Sequence, residues 1–142
     1  MKIYIIFDTN EKRNFSATLD FIKEPFLNLN ISSDLKNNIL QRIDAEQDFG
    51  ITVSELHEIL PTLDTRIEEL LKHPDFDPFK EEKRKRFPQQ YGSEPFEYKG
   101  ITYYLYSKLN PIDSLINRII GFKKLIEEHT AVNKPLKYVY KE

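Results

Sequence analysis

Residues 3–7 read Ile-Tyr-Ile-Ile-Phe, an unbroken apolar run rich in β-branched and aromatic side chains. Successive residues of a strand face opposite ways, so a segment that is apolar at every position needs cover on both faces. This requirement makes 2–7 an interior strand, and the rest of the chain must supply its neighbours. Three further segments carry strand character. Residues 96–98 and 101–106 look like the arms of a hairpin turning at Lys99-Gly100. Residues 136–140 put Leu136, Tyr138 and Tyr140 on one face, with Lys137 and Lys141 opposite, a pattern that suits a protected edge strand.

The segments between these strands follow a helical period. Ser16 is expected to cap a short helix carrying Leu19 and Ile22 and stopped by Pro25. Asp34–Ala45 has Leu35, Ile39, Leu40 and Ile43 at helical spacing. Val53–Leu60 reads as a short helix closed by Pro61, and Leu63–Lys72 as a separate one. Asp77-Pro78 is a cap and first-turn pair for another helix reaching about Arg86. Phe87–Tyr98 reads as a loop until the hairpin begins. Asn110-Pro111 opens the longest stripe, with Ile112, Leu115, Ile116, Ile119, Phe122 and Ile126 on one side. The expected product is an α+β fold: a small, mostly antiparallel sheet covered by several helices, in a single domain over 1–142.

At 142 residues the chain is long enough to bury a core without covalent staples. It holds no cysteine, which excludes disulfides and thiolate metal sites and suits a reducing compartment. The opening apolar run is too short for a signal peptide, and no segment reaches the length of a bilayer span. A cytoplasmic protein is expected.

Residues 44–55, Asp-Ala-Glu-Gln-Asp-Phe-Gly-Ile-Thr-Val-Ser-Glu, approach a calcium-binding EF-hand loop. Asp44, Glu46, Asp48 and Glu55 occupy the first, third, fifth and twelfth positions, where such a loop places oxygen ligands. The sixth position needs glycine for a sharp turn, yet Phe49 stands there and Gly50 comes one place late. The same letters have a structural reading. Thr52 and Glu55 form a capping box, and Ile51 and Leu56 take the two positions of a hydrophobic staple. The structural reading is the favoured one, so no cofactor is expected, with calcium as the minority alternative.

Charge is unevenly distributed. The chain carries a net −2, but residues 44–77 hold ten acids against Arg66 and Lys72, a local net of −8. Residues 78–86 then swing to +3, with Lys80, Lys83, Arg84, Lys85 and Arg86 against Glu81 and Glu82. A basic run beside Phe87 and Tyr91 is a feature of nucleic-acid surfaces, but the interleaved glutamates and the acidic whole argue against one. An acidic helical segment creates a field that attracts a basic partner.

Signs of catalysis are few. There is no cysteine nucleophile and no Gly-x-Ser-x-Gly elbow, and the four glycines form no phosphate-cradling loop. His73, Asp75 and Asp77 are metal-competent types, so a small metal-dependent hydrolase is a distant reading. Their setting between Pro74 and Pro78 fits an interhelical turn better. The tyrosine surplus around the hairpin offers anchors for binding, since aromatics bury large areas with few rotors. The combination leads to an expected function: a non-enzymatic protein-binding module, concretely a bacterial immunity protein or antitoxin acting on a basic toxin. Asp48, Glu55, Glu58, Asp64, Glu68, Glu69, Tyr104 and Tyr106 would form its contact surface. The second expectation is a calcium-responsive domain using Asp44, Glu46, Asp48 and Glu55.

Overall fold

A computed structural model describes residues 1–77, 82, 85, 86, 95–105 and 111–142. The fold is α+β. In chain order the elements are β1 (Ile3–Phe7), β2 (Asn14–Thr18), α1 (Leu19–Leu27), α2 (Ser33–Asp44), β3 (Phe49–Ile51), α3 (Val53–Leu71), β4 (Pro95–Tyr98), β5 (Ile101–Tyr104), α4 (Pro111–Ala131) and β6 (Leu136–Lys141). The chain divides into two compact units, Met1–Arg66 with Gly121–Glu142 and Ile67–Ile120. The expected helix between Asp77 and Arg86 and the loop after it fall largely outside the described residues.

The first unit is built on a four-stranded sheet in the order β2-β1-β6-β3, with every pair of neighbours antiparallel. β1 is interior, as its apolar sequence demands. β6 is interior too, between β1 and β3, and this corrects its reading as an edge. Lys137 and Lys141 mark the second face of the sheet rather than its rim. Tyr4, Ile6, Tyr138, Leu136 and Ile51 are buried on one face, where the side chains of the helices complete the core. Ile3, Ile5, Phe7 and Val139 lie half-buried on the other, beside the exposed Lys137 and Lys141.

Two strands were not expected. β2 replaces the helix that Ser16 was to cap, and α1 begins only after Thr18. Asp8 fixes the connection between β1 and β2. Its Oδ1 accepts from the amides of Asn10 (3.1 Å) and Lys12 (3.0 Å), and its Oδ2 from Arg13 Nε (3.3 Å). Burial pushes the Asp8 carboxyl up, but these donors outweigh it and hold the group below its ordinary value. The other new strand, β3, is three residues long and comes from the centre of the calcium-like segment.

Two prolines expected to end helices lie inside them. Pro61 sits within α3, so Val53–Leu71 is one helix and not two, and Pro25 sits within α1. A proline removes one intrahelical donor, which costs least where water reaches the freed carbonyl. Pro61 is exposed, on the side of α3 away from its buried stripe of Leu56, Ile59, Leu63, Ile67 and Leu70. Burying that stripe outweighs the lost bond, at about 1.5–3 kcal/mol for each side chain.

α4 follows its predicted period, with Ile116, Ile119, Phe122 and Ile126 buried. Phe122 meets Phe26 of α1 edge-to-face at 5.3 Å between ring centres. The helix ends in a Schellman arrangement: Lys134 N donates to His129 O (2.9 Å) and Asn133 N to Thr130 O (3.2 Å), with Asn133 at φ 58°.

In the second unit β4 and β5 pair as an antiparallel hairpin of their own, separate from the main sheet. Its turn is at Lys99-Gly100 as expected. Both residues have positive φ (50° and 81°), the backbone of a type I′ turn. Tyr103 stacks on Phe96 at 5.4 Å and tilts against Phe76 at 6.0 Å.

Two tyrosines on the covered face of the main sheet differ in one respect. The buried Tyr4 hydroxyl donates to Ile43 O at 2.9 Å, with Gln47 O and Arg42 O at 3.2 and 3.3 Å. Tyr138, equally buried, finds no hydrogen-bond partner for its hydroxyl among the described residues, and burial alone pushes its phenol pKa up. A buried hydroxyl without a partner costs its desolvation. Tyr138→Phe is therefore expected to stabilise the protein by about 1 kcal/mol, seen as a higher urea midpoint with an unchanged slope. A lower midpoint would show that the hydroxyl is satisfied.

Candidate functional site

The acidic segment was the strongest functional signal, and the structure places each of its carboxylates. Arg42, in the last turn of α2, reaches Glu55 in the first turn of α3. Its two terminal nitrogens donate to the two carboxylate oxygens at 3.0 and 2.9 Å, and one also donates to Gly50 O at 3.2 Å. Glu55 closes the capping box as well: Thr52 N donates to Oε1 (3.0 Å) and Glu55 N to Thr52 Oγ1 (3.2 Å). The staple residues Ile51 and Leu56 are both fully buried. The Arg42 guanidinium holds the Glu55 carboxyl below its ordinary value, against a burial effect in the opposite direction.

The remaining members of the calcium-like set point to other partners. Asp44 pairs with Lys23 of α1. Glu46, at φ 56°, accepts from Lys2 Nζ (2.9 and 3.0 Å) and from the Tyr140 hydroxyl (3.3 Å), and the lysine holds its pKa down. Asp48 Oδ1 accepts from Tyr140 N at 2.9 Å. Tyr138 faces Phe49 in the β3–β6 register, so Tyr140 is the next bonded position of β6 beyond the end of β3. Asp48 thus prolongs the ladder with a side-chain oxygen. Phe49 is not forced into a turn: it is the first residue of β3 and stacks on Tyr138 at 4.5 Å. Asp44, Glu46, Asp48 and Glu55 are in this way engaged with Lys23, Lys2, the Tyr140 amide and Arg42. Among the described residues, no group of three or more His, Asp or Glu side chains is arranged to hold a metal ion.

Further along α3, Asp64 pairs with Lys123 of α4 at 2.7 Å. In the second unit Glu68 pairs with Lys99 of the hairpin turn. The lysine also lies over the Tyr98 ring, 5.6 Å from its centre. Cations from outside the segment therefore offset much of its formal −8. Glu58 and Glu69 are exposed on the solvent side of α3, with Ser54, His57, Pro61 and Thr65. Tyr104 is half-buried on β5, and Tyr106 lies outside the described residues.

The histidine-containing candidate is a local turn. Asp75 N donates to His73 Nδ1 at 3.1 Å, and the Asp75 carboxylate stands 3.8 Å from the same nitrogen. His129 is a different case that the sequence did not flag as a tie. It is buried at the end of α4, with Nδ1 3.0 Å from Pro135 O and Nε2 3.3 Å from Phe7 O. One ring thereby joins the end of β1 to the approach to β6.

The fold and these carboxylates define an α+β protein in which Asp44, Glu46, Glu55, Asp64 and Glu68 are held in internal ion pairs. Comparison with protein-family models, with curated proteins and with solved structures yields no match. No described helix is long and apolar enough to cross a membrane.

Proposed function

We propose that this chain is a non-enzymatic protein-binding module that engages a basic partner, most concretely as an immunity-protein or antitoxin-like inhibitor. The observation that carries the proposal is the solvent side of α3 in the first unit, where Glu58 is exposed while Glu55 and Asp64 are tied to Arg42 and Lys123. Charges that hold the fold together are poor candidates for recognition, because a partner would have to break an existing pair to use them. Exposed acids cost nothing of that kind, and they speed encounter with a basic surface. The contact set expected from sequence accordingly narrows. Glu55, Asp64 and Glu68 serve mainly the fold, Asp48 serves the sheet, and Glu58 serves the partner.

The test is affinity capture from cell extract with the wild-type chain and with the Glu58→Lys variant. Position 58 is exposed, so folding should be unchanged by circular dichroism. Captured basic protein is expected to fall about tenfold or more, with greater salt sensitivity for the wild type. Equal capture by the two would remove α3 from the account.

A further inference from the structure

The two edges of the main sheet are protected to different degrees. At β3 the edge is three residues long, and Arg42 occupies its outward carbonyl, Gly50 O, at 3.2 Å. At β2 the edge runs for five residues, Asn-Phe-Ser-Ala-Thr, without a charge or a proline. Edge strands of soluble proteins usually carry such blocking groups, because the free backbone of an unblocked edge accepts another strand.

The register shows which groups β2 presents. Asp8 N donates to Arg13 O at 3.0 Å, which makes Asp8 and Arg13 a bonded pair continuing the β1–β2 ladder. Bonded and non-bonded pairs alternate in an antiparallel ladder, so Ile6 with Phe15 and Tyr4 with Ala17 are bonded as well. Asn14, Ser16 and Thr18 then direct their N–H and C=O groups away from β1. Asn14 and Ser16 are exposed, and no backbone partner for either appears among the described residues. Phe15, on the covered side of the sheet, is 53% exposed although its neighbour Ile6 is buried.

From this pattern we infer that β2 is a strand-addition edge for a second copy of this chain, pairing antiparallel with its own counterpart about a two-fold axis at Ser16. Self-pairing needs a strand that complements itself when reversed. Only with the axis at Ser16 does the whole of Asn14–Thr18 pair. Ser16 then exchanges backbone bonds with Ser16 of the second copy, and Asn14 O accepts from Thr18 N, whose own carbonyl opens α1. The side chains agree with this register. Phe15 lies opposite Ala17 of the second copy, a large exposed ring against a small residue, and the same contact recurs on the other side of the axis. The second face carries only Asn14, Ser16 and Thr18, short neutral groups that form favourable cross-strand pairs. No like charges meet. The result is a continuous sheet through both copies, with both free edges formed by the short, closed β3.

The register makes a specific test available. In sedimentation velocity at about 100 μM, the wild-type chain is expected to run at twice the monomer mass. Ser16→Lys places two lysines opposite each other at the axis, and Ser16→Glu two glutamates. Each variant alone is expected to weaken the dimer about tenfold or more and to sediment as a monomer. An equimolar mixture of the two is expected to recover the dimer, because lysine now faces glutamate. Circular dichroism and thermal midpoints of the separate variants should match each other, since position 16 is exposed in the monomer. A monomeric wild type would overturn the inference. So would dimers that persist in both variants, or a mixture that fails to associate when the wild type does.

Discussion

Tyr4→Ala is expected to lower the unfolding free energy by about 4 kcal/mol, the largest effect of any single substitution considered. Tyr4 is fully buried at the centre of the sheet's covered face. Its ring stands edge-on to Phe49 at 5.3 Å and to Tyr138 at 6.2 Å, and lies 5.4 Å from Tyr140. Truncation removes all three aromatic contacts and leaves a cavity that three strands cannot close together. It also removes the shorter of the bonds to the carbonyl of Ile43, in the last turn of α2, which keeps the longer one from Glu46 N at 3.3 Å. Tyr4→Phe separates the two contributions: it keeps the ring and is expected to cost about 1–2 kcal/mol. Urea titration of both variants measures the difference. Equal losses would assign the whole effect to the hydroxyl. The expected gain from Tyr138→Phe runs the other way at a neighbouring ring, so the pair distinguishes a satisfied from an unsatisfied phenol inside one core.

Arg42→Ala is expected to cost about 2–3 kcal/mol near neutral pH, and the loss should depend on pH. The side chains of Arg42 and Glu55 are 31% and 18% exposed, so the pair is partly shielded from water. The folded pKa of Glu55 lies below its ordinary value of 4.5. The unfolded chain therefore binds the proton more readily than the folded one below that value. The stabilisation is fully present above pH 4.5 and is lost as pH falls through the lowered folded pKa. Removing Arg42 should consequently flatten the acid limb of the stability curve. Chemical denaturation at about pH 7 and about pH 3 should show the wild type and Arg42→Ala drawing together at the lower pH. A gap of constant size would mean that Arg42 acts through Gly50 O and packing rather than through the Glu55 carboxylate.

Much of the fold is legible in the residues, and the exceptions have identifiable causes. β1 announces itself by an unbroken apolar run, β6 and α4 by periodic apolar patterns, and the type I′ turn at Lys99-Gly100 marks the hairpin. β2 is hidden by its edge position. With one side of the ladder free and one face carrying Asn14, Ser16 and Thr18, it keeps only Phe15 and Ala17 as apolar signals, and Ser16 resembles a helix cap. β3 is too short to show a period, and its carboxylate-rich surroundings suggest an ion site instead. Pro61 misleads because a proline's local preference gives way when the rest of α3 buries five side chains on one stripe. The site was legible as charge but not as pairing. Sequence counts acids along the chain, whereas the lysines and arginine that neutralise Asp44, Glu46, Glu55, Asp64 and Glu68 come from distant segments.

The central strand pair has a consequence for how the protein comes into being. β1 bonds to β6 with Ile3 opposite Lys141, so the middle of the sheet joins segments that are far apart in the sequence. Contacts of such long sequence separation are slow to form, because the intervening chain must surrender its freedom before the pairing returns any stability. The β1–β2 hairpin closes over a short loop and can form early. β3 and the inner side of β1, by contrast, wait for β6. During synthesis the growing chain therefore carries an apolar strand with one side unpaired until β6 has been made. Such an intermediate is exposed to misassembly, and its lifetime is set by the arrival of β6 rather than by the speed of any helix.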